Sequence, residues 1–166
     1  MKKFRRSIIF AALLYIVDAG IYSQGGITLI AVLIIILVLV PKILIAFFRK
    51  NKGLFKERMI TAGIYLLVLV IVFASNGLNN RLAFKRAKRI IQASNEYKAK
   101  YAGYPDKLQD LVPEFIAKVP LAKLALAYNK FIYIAREEQH LLVYYALPPF
   151  GKRIYYFEEG QWGYLD

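Results

Sequence analysis

The sequence holds one histidine, His140, and no cysteine. Thiol catalysis, cysteine zinc sites, disulfides and cysteine acylation are thereby excluded. Ser75 and Ser94 have no His-and-acid pattern around them of the kind that activates a hydroxyl. The pairs Glu137-Glu138 and Glu158-Glu159 are the closest approach to acid–base chemistry. Glycosidase-like use of two carboxylates needs them facing across a cleft, whereas these pairs stand between apolar runs and read as solvated turn charges. No Gly-rich phosphate loop is present. His140 opens an aromatic run and reads as a surface or packing residue. The expectation is a protein that is not an enzyme, with no cofactor, no metal and no small-molecule substrate.

Two charged residues interrupt the apolar first half, Asp18 and Lys42. An acid inside a membrane span is costly and is often functional near the midplane. Asp18 lies about one turn from the uncharged segment Ser23 to Gly26, so an interfacial or helix-packing role is expected. Lys42 is seven residues from Arg49 and can extend its amine towards that end of its run. Pro41 beside it is expected to kink the helix. One acid and one lysine fall short of a proton relay or an ion path.

These residues must be positioned by three apolar runs at about 7–22, 27–48 and 59–75, which read as membrane spans within a region 1–78. A span needs roughly 17 to 25 residues, so the first and third draw on their flanks. The first run also has the outline of a signal peptide, with a basic start before Ile8 to Val17. No Ala-x-Ala site follows Val17, and a second apolar run begins within ten residues, so a retained span is expected. Lys2, Lys3, Arg5 and Arg6 precede the first run, and Arg49, Lys50, Lys52, Lys56 and Arg58 fill the second loop. Basic residues stay on the cytoplasmic side, which predicts a cytoplasmic N-terminus and an extracytoplasmic C-terminus. Arg81, Lys85, Arg86, Lys88 and Arg89 argue the other way, five against nine.

The net charge of +13 divides unevenly. Residues 1–75 carry ten Lys or Arg against two acids, and residues 76–166 fourteen against nine. Most of the excess is topology signal, and anionic lipid headgroups explain the clusters more simply than nucleic acid. Membrane lipids and protein partners are expected; a nucleic-acid partner is not.

From residue 79 the character changes. Ala83, Ala87, Ile90, Ser94, Tyr97 and Tyr101 recur at steps of three and four and mark one face of a helix. Gly103, Tyr104 and Pro105 are expected to end it. A helical turn is predicted over Asp106 to Val112, with Asp106 as its cap and Leu108, Leu111 and Val112 inward. Pro113 and Pro120 then punctuate the chain. Strands are predicted at Phe131 to Ala135, His140 to Leu147, Arg153 to Phe157 and Trp162 to Leu165. Short connections make them an antiparallel meander, which the apolar stripe of the helix would cover. The fold class is therefore α+β: three transmembrane helices, then a soluble domain, 79–166, of one long helix on a four-stranded antiparallel meander. The thirteen tyrosines and Trp162 offer rings suited to interfaces.

Tyr97-Lys-Ala-Lys-Tyr-Ala-Gly-Tyr-Pro-Asp-Lys-Leu, followed by Leu111-Val-Pro-Glu-Phe-Ile and Val119-Pro, resembles the ectodomain of type IV pilins and of the major pseudopilins of type II secretion systems. The resemblance covers about residues 60–166. It implies a membrane helix continuing into an amphipathic helix, a Gly-x-Tyr-Pro turn and a β-meander. Tyr97, Tyr101, Gly103, Tyr104, Pro105, Pro113 and Trp162 become the structural and interface candidates. This sequence departs from the family in placing two apolar runs ahead of the third and in lacking an Asp cluster over residues 120–166. The function expected is a non-enzymatic structural or interaction protein of a bacterial inner membrane, displaying a pilin-like extracytoplasmic (periplasmic) domain for assembly with partners, as in a secretion or pilus system. The alternative is a small accessory or regulatory subunit of a membrane transporter or membrane enzyme complex.

Overall fold

Runs of Leu, Ile, Val and Ala favour helix over residues 5–22, 26–48 and 52–75, and the computed structural model has helices there. It describes residues 2–136 and 139–166, so the expectation for Glu137 and Glu138 lies outside the described residues. The chain divides into two compact units, Met1–Asn76 and Gly77–Asp166.

In the first unit a short 3-10 turn, Lys2–Phe4, leads into α1 (Arg5–Tyr15), which widens into a π-helical segment, Ile16–Tyr22. Then follow α2 (Gly26–Phe48) and the start of α3 (Lys52–Tyr101). Asn51 caps α3, its side-chain oxygen accepting the Leu54 N–H at 3.0 Å. Helix α2 continues through Pro41. Two helices, α2 and α3, are long and apolar enough to cross a membrane, not the three expected. The first apolar run differs because its α-helical part stops after eleven residues. The Asp18 carbonyl accepts the Ser23 N–H at 2.6 Å, a five-residue step that widens the coil.

Inward-facing positions of this unit are small or slim: Ala11, Ala19, Ala62, Val32, Val68 and Val72, with Leu39 and Tyr65. Large aliphatic and aromatic side chains, among them Leu37, Phe48, Leu67 and Val70, face outward.

In the second unit α3 presents Ala83, Ala87, Ile90, Ala93 and Ser94 as its buried face. The first three and Ser94 are the stripe read from the sequence. Tyr97 is half-buried, while Tyr101, the last helical residue, is 50% exposed and lies beyond the packed face. The helix ends on Ala102, at φ 64°, in the left-handed region where glycine is expected. Gly103 follows outside the helix, so the stop falls one residue earlier than predicted.

The predicted turn over 106–112 is a 3-10 helix, Leu108–Leu111. Asp106 is not its cap; the Asp110 carboxylate instead accepts the Lys107 N–H at 3.1 Å. Leu108 and Leu111 are buried as expected. Four strands complete the unit: β1 (Ile132–Arg136), β2 (Gln139–Leu147), β3 (Gly151–Tyr156) and β4 (Gln161–Leu165). They form an antiparallel sheet in the order β1-β2-β3-β4. Side chains alternate between faces along each strand, and the registers align two rows on the face that meets α3. One row is Leu142, Tyr155 and Trp162; the other is Tyr144, Arg153 and Tyr164. Leu142, Tyr144 and Phe157 join the Ala and Ile residues of α3 in one core.

Candidate functional site

Asp18 is completely buried. Its Oδ1 accepts the Gly25 N–H at 2.7 Å and its Oδ2 the Thr28 N–H at 2.7 Å. Both donors belong to the start of α2, where backbone N–H groups lack intrahelical partners and the helix dipole is positive. Asp18 therefore caps the helix that follows it, across the turn at Ser23 to Gly25, and closes a helical hairpin. Gly25 adopts φ +90°, and a Cβ there would lie 3.2 Å from the Phe73 ring and 3.3 Å from Asn76 Nδ2. The turn thus needs both its acid and its glycine. Thr28 and Asn76 are also buried; among the described residues Thr28 Oγ1 and both side-chain polar atoms of Asn76 make no hydrogen bond. Lys42 is exposed on α2 and joins none of this.

The Gly-Tyr-Pro segment is tied to the sheet by two tyrosine hydroxyls. Tyr104 donates to the Phe157 carbonyl at 3.1 Å, and Tyr133 donates to the Pro105 carbonyl at 2.9 Å. Pro105 is fully buried, and the Tyr104 ring packs 5.0 Å from Phe157. Burial first, and the Glu158 charge second, push the Tyr133 hydroxyl above its ordinary value, keeping it a donor. Gly103 and Pro113 are exposed.

His140 is placed beside this turn. Its Nδ1 lies 2.7 Å from Glu158 Oε1, and its backbone N–H donates to Glu158 Oε2 at 3.0 Å. Glu158 sits in the predicted turn but is paired with His140 rather than only solvated. Burial alone would raise its carboxyl; the His140 donors outweigh that and hold it below the usual value.

A second aromatic group gathers around Tyr97, whose ring lies 4.7 Å from Tyr101 and 5.6 Å from Phe115. The Tyr101 hydroxyl donates to Glu114 at 3.1 Å, and Lys100 pairs with the same carboxylate. Lys100 is correspondingly raised and Glu114 lowered by their mutual hydrogen bond. Trp162 is instead a packing residue, 5.2 Å from both Phe84 and Tyr155. Of the predicted candidates, then, Tyr97 and Tyr101 share one surface, Tyr104 and Pro105 form an internal joint, and Trp162 packs elsewhere.

Sequence reasoning missed Lys123. It is completely buried, its Nζ donates to the Ala146 carbonyl at 3.0 Å, and burial pushes its pKa down to about 8. Nothing in Ala-Lys-Leu-Ala-Leu-Ala signals a buried amine. Also unanticipated is the setting of Arg153, placed by its register on the face of the sheet that meets α3.

These arrangements hold elements together and offer surfaces; among the described residues no group of three His, Asp or Glu converges as metal ligands would. No protein-family model, no curated protein and no solved structure matches this chain.

Proposed function

We propose that the chain is a non-enzymatic integral protein of a bacterial inner membrane that displays residues 77–166 outside the cytoplasm, as a pilin-like domain for assembly with protein partners. The observation that carries this reading is α3. Its 50 residues run unbroken from an apolar, outward-facing stretch into the buried face of the second unit. Three crossings are made by α1 with its π-helical extension, by α2 and by the first part of α3. The eleven α-helical and seven π-helical residues of the first reach the lower end of the length a span needs, roughly 17 residues. The N-terminus is cytoplasmic, following the nine basic residues ahead of and between the spans. The Tyr104 and Tyr133 bonds that fasten the Gly-Tyr-Pro turn to the meander support the pilin-like assignment.

Partner assembly is assigned to the Tyr97, Tyr101, Phe115 and Glu114 surface, because Tyr101 carries a large aromatic ring that is 50% exposed and stacked in this ring cluster. A photo-crosslinking residue in place of Tyr101, in cells, should give a defined adduct with another envelope protein. The full chain purified in mild detergent should bring the same protein with it. Repeated recovery of an uncrosslinked, solitary chain would contradict the reading.

The accessory-subunit alternative draws on Thr28 and Asn76, whose buried polar atoms are left without partners among the described residues. Asp18 does not support it, since both its oxygens cap α2. Replacement of Asn76 by Leu would abolish the activity of a partner complex under that alternative and leave it intact under the main one.

A further inference from the structure

The end of the second unit that carries the start of its helix differs chemically from the rest. A groove of about 270 Å³ opens there, with Asn80, Arg81, Arg153 and Tyr164 as its polar lining and Phe84 as an apolar wall. Arg153 shares a cross-strand row with buried Tyr144 and with Tyr164. Arg81 and Arg153 are themselves exposed. Among the described residues neither Arg81 nor Arg153 forms an ion pair. The Arg153 guanidinium lies instead 5.6 Å from the centre of the Phe84 ring, and Lys88 Nζ lies 4.8 Å from it. Two cations therefore lie against one ring, and Arg81 lines the same groove. Among the described residues, Asn80 Oδ1, in the same groove, is a buried acceptor with no donor. The groove thus offers guanidiniums to an anion and an amide oxygen to a hydrogen-bond donor.

Beside it runs the loop 121–128. Arg86 donates to the Leu121 carbonyl at 2.8 Å, and Asn79 Oδ1 accepts the Leu124 N–H at 3.2 Å, so the loop is held against the start of the helix. Leu124 and Leu126 are nonetheless 71% and 78% exposed, and Phe150, in the β2–β3 turn, is 73% exposed. Asn79 directly follows Leu78, the end of the apolar stretch of α3. By chain connectivity alone, Asn80 and Arg81 stand within about one turn of the bilayer surface if that stretch lies in the membrane.

We propose that this groove binds the headgroup of a membrane glycerophospholipid. Arg81 and Arg153 hold its phosphodiester, and Asn80 Oδ1 accepts from a donor on the headgroup alcohol, a glycerol hydroxyl or an ethanolamine ammonium. The proposal rests on the membrane reading above.

Trp162, the sole tryptophan, has its ring 5.2 Å from Phe84 and reports on the groove. The full chain in detergent micelles is titrated with short-chain phosphatidylglycerol, phosphatidylethanolamine, phosphatidylcholine and inorganic phosphate, and the Trp162 emission is followed. Phosphatidylglycerol and phosphatidylethanolamine should give saturable changes, and phosphatidylcholine, which has no donor, should bind more weakly. Charge-assisted hydrogen bonds contribute about 1.5–3 kcal/mol each, so the double variant Arg81→Gln, Arg153→Gln should weaken phosphatidylglycerol at least about tenfold. Asn80→Leu should erase the preference over phosphatidylcholine while binding persists. Asn80→Asp places a like charge beside the phosphate and should abolish binding, which provides a second test should the arginine variants unfold. Equal affinity in the wild type and in variants of native circular dichroism would overturn the proposal. So would inorganic phosphate binding as tightly as phosphatidylglycerol, which would mark a soluble-anion site. Carbonate washing of membranes separates the two levels: a chain released by carbonate contradicts the membrane reading, whereas a retained chain without headgroup selectivity contradicts this proposal alone.

Discussion

In residues 2–76 the inward positions are mostly alanine, valine and a few polar groups, with Leu14, Leu39 and Tyr65 among them, and most large side chains face out. In residues 77–166 the larger Ile90, Leu142, Tyr144 and Phe157 are enclosed beside alanines, and among the described charged residues Lys123 alone is completely buried. Where water is the solvent, large apolar groups gain most by leaving the surface. Where lipid is the solvent that gain vanishes, and helices associate through small residues and polar contacts. The Asp18 cap fits the same contrast, because an unsatisfied N–H in hydrocarbon costs several kcal/mol. The two units thus read as one chain folded for two solvents, with α3 common to both.

The contrast is sharpest in large-to-small substitutions. Leu142→Ala should destabilise the second unit by about 2–5 kcal/mol, since it opens a cavity in a completely buried site. Leu37→Ala, on an outward position of α2, should change stability in detergent by less than about 0.5 kcal/mol. Denaturation of the full chain, followed by Trp162 emission for the second unit and far-ultraviolet circular dichroism for the helices, measures both. Comparable losses would break the comparison.

Next in size is Asp18→Ala, expected to cost about 1–2 kcal/mol through the two unpaired N–H groups at the start of α2. Asp18→Asn keeps one acceptor and should fall between. Thermal melts of the helical signal in detergent would show the order wild type, Asn, Ala; coincident melts would remove the capping role.

The smallest expected effect is a gain. Ala102 occupies a left-handed position that costs a residue with a Cβ about 1 kcal/mol, so Ala102→Gly should stabilise the second unit by about that amount. A loss of stability would show that the end of α3 is held by something other than its backbone geometry.

How much of this was legible follows from the range of each interaction. The strands were visible within a residue or two, because aromatic and β-branched runs broken by Pro, Gly and charge encode them locally. The α3 face was legible for the same reason: Ala83, Ala87, Ile90 and Ser94 repeat with the helix. Less local features were not. The partners of Asp18 are backbone amides seven and ten residues onward, which carry no side-chain signature. The widening of the first apolar run depends on a carbonyl bond to Ser23 that composition does not show. The helix stop shifted because Ala102, not the neighbouring glycine, takes the left-handed geometry. Arg153 opens a predicted strand, but its place in a row with Tyr144 follows only from the strand registers.

The central claim, that residues 77–166 are displayed across the membrane from the basic loop, can be measured with minimal engineering because the chain has no cysteine of its own. Single cysteines at Lys56 and Pro113, both exposed, are treated with a membrane-impermeant maleimide in intact spheroplasts and again after lysis. The account predicts labelling of Pro113→Cys in intact spheroplasts and of Lys56→Cys only after lysis. Protection of Pro113→Cys until lysis would place the second unit in the cytoplasm and contradict it.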